Sequence, residues 1–267
     1  MVSRAAFLLL VVAALWTPAL AQAGGPDQLA AARRLYNQGK LDAAMTAARQ
    51  AVTNPSEASS ARLVMGRIHL ERYRQMTAAD ELDGARAELR EVDSRALDER
   101  ERIELQVGLA TLLYYEDYFG PAAELLEPII DASATLAPEA HERALDWWAT
   151  ALDRQGQAST DRVSTSQRIG QRMEQELRRD PLSAPANYWL AASARAAGDL
   201  DRAMAAASAA WIRAALAGDR GAALRTDLDR LVVQAIIPEK AARLPARDRS
   251  RATASLTTDW ESFKKNW

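Results

Sequence analysis

The sequence contains no cysteine and only two histidines, His69 and His141. Disulfide bonds, thiolate metal sites, cysteine nucleophiles and a lipid attached to cysteine are therefore excluded. Aromatic residues make up 6% of the chain, and Val, Ile and Thr are few, which disfavours β-strands. Basic and acidic residues nearly balance, with 34 Lys and Arg against 36 Asp and Glu. Such a chain lacks the positive field with which proteins recruit nucleic acids.

Catalytic motifs are also missing. The stretch "HERALDWW", which begins at His141, is not the His-Glu-x-x-His pattern of zinc proteases, and the sequence has neither a Gly-x-Ser-x-Gly elbow nor a glycine-rich phosphate loop. Both histidines lie within apolar helical patterns, which is typical of partly buried or surface histidines. We therefore expect no enzyme, no metal and no cofactor. A hydrolase, or the accessory domain of one, stays open as an alternative that would need His141 or clustered carboxylates.

Residues 1–23 have the pattern of a secretory signal peptide. Arg4 provides a positive start, residues 5–15 are apolar, Pro18 breaks that run, and Ala21-Gln22-Ala23 fits a signal peptidase site. The apolar run is too short for a stable transmembrane helix, although an uncleaved anchor is the alternative. We expect a periplasmic or secreted mature chain that begins at Gly24 and has no stable membrane span after cleavage.

The rest of the chain has the periodicity of helices. Apolar residues recur at three- and four-residue spacing without strict alternation, and the abundant Ala, Leu and Arg favour helix. Turn residues interrupt the pattern at 37–40, 54–55, 117–121, 154–159, 180–181 and 198–199, which leaves segments of about 12 to 20 residues. The pattern predicts helical hairpins, with first helices that include residues 61–73 and 145–156 and second helices near residues 79–92 and 161–179.

The stretch "LYNQGKLDAAMTAARQAVTNP", residues 35–55, resembles the helix–turn–helix unit of the tetratricopeptide repeat (TPR) family. Gly39 stands at the turn between the two helices, where positive φ is often required. Ala44 and Ala51 are small residues seven apart, at positions where the helices cross. Pro55 closes the unit.

Two later stretches carry the same pattern. In residues 198–210, Gly198 stands at the turn, and Ala203 and Ala210 form the small pair. In residues 112–130, Ala122 occupies the small position, but Asp117 stands where the family has glycine. The resemblance therefore extends over most of the chain with degenerate motifs.

The segment "LDWWATALDRQG" (residues 145–156) can be laid over "NYWLAASARAAG" (residues 187–198). Both segments end in a glycine, so we expect a turn at Gly156 as well as at Gly198. Together the resemblances imply an all-α fold, a right-handed superhelix (α-solenoid) of about five TPR-like hairpins over residues 24–217. A helical-hairpin array of another family is the alternative.

Residues 218–267 depart from the repeat pattern and are expected to form a C-terminal capping helix and an amphipathic tail. A helix that ends at Pro238 is predicted by one apolar stripe, formed by Leu224, Leu228, Leu231, Val232 and Ile236. Residues 240–251 are basic and predict a loop or a short helix. In the tail, Trp260, Phe263 and Trp267 share one predicted helix face, which either docks as a cap or serves as an exposed anchor for a partner or a membrane surface.

The resemblance also implies where a partner would bind. In TPR arrays the first helix of each hairpin lines the concave face, and the matching positions here are Arg33, Tyr36, Asn37, Arg67, Thr111, Tyr114, Tyr115, Asp146, Thr150, Arg154, Tyr188 and Arg195. Tyr and Arg are the residue types that anchor protein interfaces. Arg33 and Asn37, one helical turn apart, resemble the clamp that holds a peptide carboxylate in some TPR proteins. A solvated helix face is the alternative for this pair.

The aromatic residues Trp147, Trp148, Tyr188 and Trp189 have two interpretations: they fill the core between repeats, or some of them line a groove. The expected function is a non-enzymatic exported scaffold that binds a protein or peptide partner in the cell envelope, which is an analogy from fold. A self-assembling structural protein, whose tail exchanges between copies, is the alternative, and a homo-oligomer therefore stays open.

Overall fold

The computed structural model describes residues 27–136, 139–157 and 160–267, apart from the side chains of residues 219 and 220. The signal peptide expected at residues 1–23 lies outside this part. The described chain is helical throughout and has no strand, which confirms the all-α prediction. Its helices are α1 (Gln28–Asn37), α2 (Leu41–Ala51), α3 (Ala58–Met76), α4 (Ala79–Arg90), α5 (Glu99–Tyr115), α6 (Phe119–Leu126), α7 (Ala140–Gln157), α8 (Arg162–Arg179), α9 (Ala184–Ala196), α10 (Leu200–Leu216), α11 (Asp219–Leu231), α12 (Ile237–Ala242) and α13 (Ala246–Asn266).

Consecutive helices pack as pairs, α1 with α2, α3 with α4, and so on to α9 with α10. Each pair also packs on the next one along the chain, through contacts such as α2 with α3, α6 with α7 and α8 with α9. The odd-numbered helices touch one another as well, α1 with α3, α3 with α5, α7 with α9 and α9 with α11. A single hairpin cannot bury its apolar face, so each one depends on its neighbours. Within the described residues, no helix combines the length and the apolar run that crossing a bilayer would need.

Small residues stand where the helices approach closely. Ala44, Ala122, Ala203 and Ala210 have no exposed surface, and Ala51 is 2% exposed. These are the small positions expected from the sequence. A larger side chain at any of them would push two helices apart, because the interior is packed at the density of a crystal.

The turns between paired helices use left-handed backbone. Gly39 has φ of 72° and Gly198 has φ of 85°, as expected. Asp117, which stands where the family has glycine, adopts the same conformation with φ of 61°. Aspartate tolerates this region better than most side chains, so the turn survives the loss of glycine.

Gly156 was expected at a turn, and this prediction is wrong. The helix α7 continues to Gln157, and Gly156 is buried inside it. A Cβ at Gly156 would lie 3.3 Å from Cγ2 of Thr165 on α8. The glycine therefore permits close packing of α7 against α8 instead of making a turn, and α7 ends one residue later, at Gln157.

The apolar core follows the chain as four clusters, from α1–α3 through α3–α5 and α5–α9 to α9–α13. Trp148 is 1% exposed and Trp189 is 8% exposed, both within the α5–α9 cluster. Trp147 and Tyr188 pack against the same cluster but stay partly exposed. Trp148 thus fills the core, as the first interpretation of the aromatic residues held, whereas Tyr188 keeps a surface open to solvent.

Pro238 does not end its helix, which corrects the sequence prediction. The chain passes from α11 through a π-helical turn, Val232–Ile236, directly into α12, whose first turn contains Pro238. Proline has no N–H to donate within a helix, and a widened turn is one way for a helix to continue past such an interruption. Residues 240–251 are also mostly helical, because α12 and α13 cover most of them.

The tail helix α13 packs its aromatic stripe on its own chain. Trp260 is 3% exposed, and its ring lies 5.5 Å from that of Trp211 on α10. The indole N–H of Trp260 donates to Asp229 Oδ1 on α11 at 2.8 Å, and Phe263 stacks on Trp260 at 5.6 Å. Trp267, by contrast, is 61% exposed. Trp260 therefore joins α13 to α10 and α11, and Phe263 packs beside it.

We predict that Trp260→Ala lowers the free energy of unfolding by about 3–5 kcal/mol, because it empties a packed indole site and leaves Asp229 with one donor fewer. The matched control Trp267→Ala removes the same side chain from an exposed position and should change stability by about 0.5 kcal/mol or less. Urea denaturation followed by far-UV circular dichroism measures both variants. Equal effects of the two substitutions would contradict the docked position of the tail.

Candidate functional site

All twelve residues expected to bind a partner lie on the odd-numbered helices. We call the surface that they mark the odd-helix face, and its members are Arg33, Tyr36 and Asn37 on α1, Arg67 on α3, Thr111, Tyr114 and Tyr115 on α5, Asp146, Thr150 and Arg154 on α7, and Tyr188 and Arg195 on α9. Because α1, α3 and α5 touch in order, as do α7, α9 and α11, residues far apart in sequence meet here.

The N-terminal part of the face is a network of ion pairs. Arg33 pairs with Glu101, and Arg67 Nη1 lies 2.6 Å from Glu104 Oε2. The guanidinium of Arg67 also sits over the ring of Tyr36, 4.7 Å from its centre. Two glutamates of α5 thus hold Arg33 and Arg67. Tyr36 joins this group through its ring contact with Arg67.

Arg33 therefore already binds a carboxylate, but one from its own chain. Glu101 is 7% exposed, and its second oxygen accepts the backbone N–H of Asp98 at 3.0 Å in the capping box that begins α5. Asn37 is exposed. The clamp expected from Arg33 and Asn37 would have to exchange an internal carboxylate for that of a partner. Sequence reasoning placed Glu101 and Glu104 on one solvated helix face, as their three-residue spacing indicates, but did not connect them with Arg33 and Arg67.

The central part of the face is largely closed. Thr111 is 4% exposed and its hydroxyl donates to Val107 O at 2.7 Å. It is therefore not available to a partner, contrary to the sequence prediction. Tyr115 packs on Tyr73 with ring centres 4.9 Å apart, and Tyr114 packs on Phe119 at 5.4 Å. Burial raises the pKa of Tyr115. These rings act mainly as packing between α3, α5 and α6.

The C-terminal part of the face opens into a groove of about 400 Å³ between α7, α9 and α11. We call it the α7–α9–α11 groove. Its polar and aromatic lining is Asp146, Thr150, Tyr188, Trp189 and Asp227, and its apolar lining is Ala184, Pro185, Ala223 and Leu224. Three of the predicted residues meet here, whereas Arg154 is exposed and Arg195 pairs with Glu239 through Nε at 2.9 Å.

Asp146 is the central charge of this groove. Its Oδ1 accepts the indole N–H of Trp189 at 2.7 Å. Burial raises the pKa of Asp146, the hydrogen bond from Trp189 opposes that shift, and the nearby Asp227 carboxylate adds to it. Burial also raises the pKa of Tyr188, with further contributions from the carboxylates of Asp227, Asp153 and Asp146. The groove therefore combines aromatic walls with negative potential.

A second, larger groove of about 550 Å³ lies between α8, α9 and α10. Its lining is mostly small or uncharged, with Ser166, Gln167, Gln171 and Ser193 among it. Its charged residues are engaged within the chain, because Glu174 pairs with Arg202 and Asp199 caps α10. This groove offers weaker chemistry for recognition than the α7–α9–α11 groove.

Asp131, His141 and Glu176 place ligand atoms within 4.8 Å of one another, which is close enough to hold a metal ion. However, Arg172 and Arg179 lie 2.6 Å and 2.9 Å from Asp131 Oδ1. His141 Nδ1 is 2.9 Å from Ile130 O, and its Nε2 is 2.7 Å from Glu176. A divalent cation would have to displace two guanidinium groups, so the cluster is better explained as an ion-pair network between α7 and α8.

We predict that Asp146→Asn raises the melting temperature at pH 7, because asparagine still accepts the Trp189 N–H but carries no buried charge. A carboxyl group whose pKa is raised on folding costs stability as pH increases from the pKa of the unfolded chain. The gain should therefore vanish below about pH 4, where the unfolded carboxyl is also protonated. Thermal unfolding at pH 3.5 and pH 7, with the exposed Asp259→Asn as control, measures this. If Asp146→Asn melted at a lower temperature than the unmodified protein at pH 7, burial of the Asp146 charge would not be the cause of its raised pKa.

Searches against protein-family models, curated proteins and solved structures returned no match to this chain. The functional conclusion therefore rests on the packing of the helices, on the ion pairs of the odd-helix face and on the chemistry of the α7–α9–α11 groove.

Proposed function

We propose that the protein is a non-enzymatic, exported, TPR-like scaffold that binds a polypeptide partner along the odd-helix face. The observation that carries the proposal is the packing of odd-numbered helices on one another, α1 with α3 and α5 and then α7 with α9 and α11, with an open groove in the C-terminal set. A partner in extended conformation would contact several hairpins in turn.

The proposed architecture is a right-handed superhelix of hairpins. Support comes from the contact order, because the helices that pack most closely are neighbours in the chain, and solenoid repeats contact only their neighbours. The buried small residues and the left-handed turns at Gly39, Asp117 and Gly198 agree with TPR-like hairpins. In such a superhelix the odd-helix face would be the concave one.

The proposed partner is a protein or a peptide because of the residue types on this face. Tyr36 with Arg67, and the partly exposed Tyr188, offer aromatic and guanidinium surface, which is enriched at protein interfaces. The guanidinium groups of Arg33 and Arg67 are partly exposed, whereas the glutamates that they pair with are largely buried. A partner carboxylate could therefore reach either arginine, but replacing Glu101 or Glu104 would leave a buried carboxylate without its cation, which costs stability.

The proposed location is the periplasm or the exterior. The signal-peptide pattern of residues 1–23 supports export of the chain. The C-terminal residues 218–267 are proposed to cap the array, because Trp260 is buried against α10 and α11 of the same chain.

Site-resolved photo-crosslinking in growing cells tests the proposed function. A photoreactive amino acid is placed in turn at Asn37, Arg154 and Tyr188 on the odd-helix face, and at the exposed Arg90 on α4 and Gln175 on α8. We expect one and the same discrete crosslinked partner from the odd-helix positions, since these would lie along one bound segment.

Arg90 and Gln175 are matched controls because they are exposed on second helices of their hairpins. Crosslinks there should be at least about tenfold weaker than at the odd-helix positions if one face alone is used. Equal crosslinking at all five positions, or capture at the second helices alone, would refute the proposal.

A further inference from the structure

We propose that the α7–α9–α11 groove binds a positively charged side chain, lysine or arginine, of the polypeptide partner. This inference rests on the proposed function, because it assumes that a polypeptide lies along the odd-helix face. The groove supplies the two features that recognise such a side chain, a carboxylate and aromatic walls.

Among the side chains that the structure describes, no lysine or arginine pairs with the carboxylate of Asp146. Glu101, Glu104 and Glu239 each pair with an arginine of this face. For Asp146, the described side chains offer a neutral donor, Trp189, and a second carboxylate, Asp227, but no lysine or arginine in an ion pair. A partly buried carboxylate beside a like charge costs stability. A cation from a partner would remove that cost.

The geometry at Asp146 leaves one oxygen for a ligand. Trp189 donates to Oδ1 at 2.7 Å, whereas no described residue donates to Oδ2. The Thr150 hydroxyl, one turn further along α7, is used locally because it donates to the backbone oxygen of Asp146 at 2.8 Å. Trp189 thus holds the carboxylate in one orientation, and Oδ2 can accept an N–H from a guanidinium or ammonium group.

Aromatic and apolar walls fit the rest of such a side chain. The rings of Tyr188 and Trp189 meet edge to face with centres 5.5 Å apart, and ring faces attract cations. Ala184, Pro185 and Leu224 line the remaining surface, against which the methylene groups of lysine or arginine can pack. A volume of about 400 Å³ is at the small end of ligand pockets, which span roughly 300–1,000 Å³, and it suits a side chain better than a large cofactor.

Asp227 adds a second negative charge at the mouth of the groove. It is exposed, and Arg230, one turn along α11, lies 3.5 Å away. Exposed ion pairs of this kind are weak, so the negative charge of Asp227 still contributes to the electrostatic potential in the groove. The carboxylates of Asp227, Asp153 and Asp146 all act on Tyr188, while the nearby cation Arg195 is held by Glu239. The groove thus favours a cation and disfavours an acidic segment.

Titration of the purified protein with a matched pair of peptides tests the inference. The probes are acetylated and amidated Gly-Arg-Gly-Arg-Gly and the same peptide with citrulline, which keeps the shape of arginine but has no charge. The readout is the indole N–H resonance of Trp189 in a ¹H–¹⁵N spectrum, assigned with Trp189→Phe. We expect the arginine peptide to shift this resonance to saturation and the citrulline peptide to bind at least about tenfold more weakly.

Variants locate the effect within the groove. Asp146→Asn should weaken binding of the arginine peptide by about tenfold, although it keeps the acceptor for Trp189, and Asp227→Asn should weaken it by a smaller factor. Asp259→Asn removes the same charge from an exposed site on α13 and should leave the affinity within about twofold. Equal affinities for both peptides, or no loss with Asp146→Asn and Asp227→Asn, would overturn the inference.

Two further results separate this inference from the proposed function. Crosslinking along the odd-helix face without any response of Trp189 to the arginine peptide keeps the scaffold and refutes the cation site. A response of Trp189 without face-specific crosslinking keeps the cation site and refutes the scaffold.

Spermidine is titrated as a third probe, and an affinity equal to or higher than that of the arginine peptide would identify a free polyamine as the occupant and overturn the polypeptide assignment.

Discussion

The close contact of helices across fully buried alanines is the constraint on which the rest of the structure depends. At Ala44, Ala122, Ala203 and Ala210 the side chain is small enough for two helices to meet with no exposed surface left. Helices contact mainly their neighbours in the chain, both within a hairpin and between one hairpin and the next, so the order of packing follows the order of the chain. That order brings α1, α3 and α5 into contact with one another, and likewise α7, α9 and α11, so that residues of different hairpins meet.

The charged side chains at the two ends of this face differ in whether they are paired. At the N-terminal end, arginines of α1 and α3 are neutralised by glutamates of α5, so a partner would compete with groups that are already satisfied. At the C-terminal end, Asp146 meets a neutral indole and another carboxylate. Because an uncompensated charge binds an opposite one more strongly than a paired charge does, we propose the C-terminal groove as the part of the face that attracts a cationic group most strongly.

The C-terminal helices contribute to the groove as well as to the end of the array. Asp229 on α11 accepts from Trp260 and Lys264 of α13 at 2.8 Å and 2.7 Å, which holds α11 against the tail. The same helix carries Leu224 and Asp227 on the wall of the groove. Docking of the tail therefore positions one side of the proposed binding site, and the π-helical turn before Pro238 lets the chain reach that arrangement without a break.

The sequence alone predicted the helices and most of the turns between them, because helix propensity, caps and turns depend on residues within a few positions of one another. The second helices expected near residues 79–92 and 161–179 are Ala79–Arg90 and Arg162–Arg179, and the glycine turns at Gly39 and Gly198 have the expected left-handed backbone. Only tertiary packing decided that Gly156 lies inside a helix while Gly198 makes a turn. It also decided that Arg33 meets Glu101, and that Asp146 shares a groove with Asp227, since these partners are separated by many turns of helix and their distance depends on how whole hairpins stack.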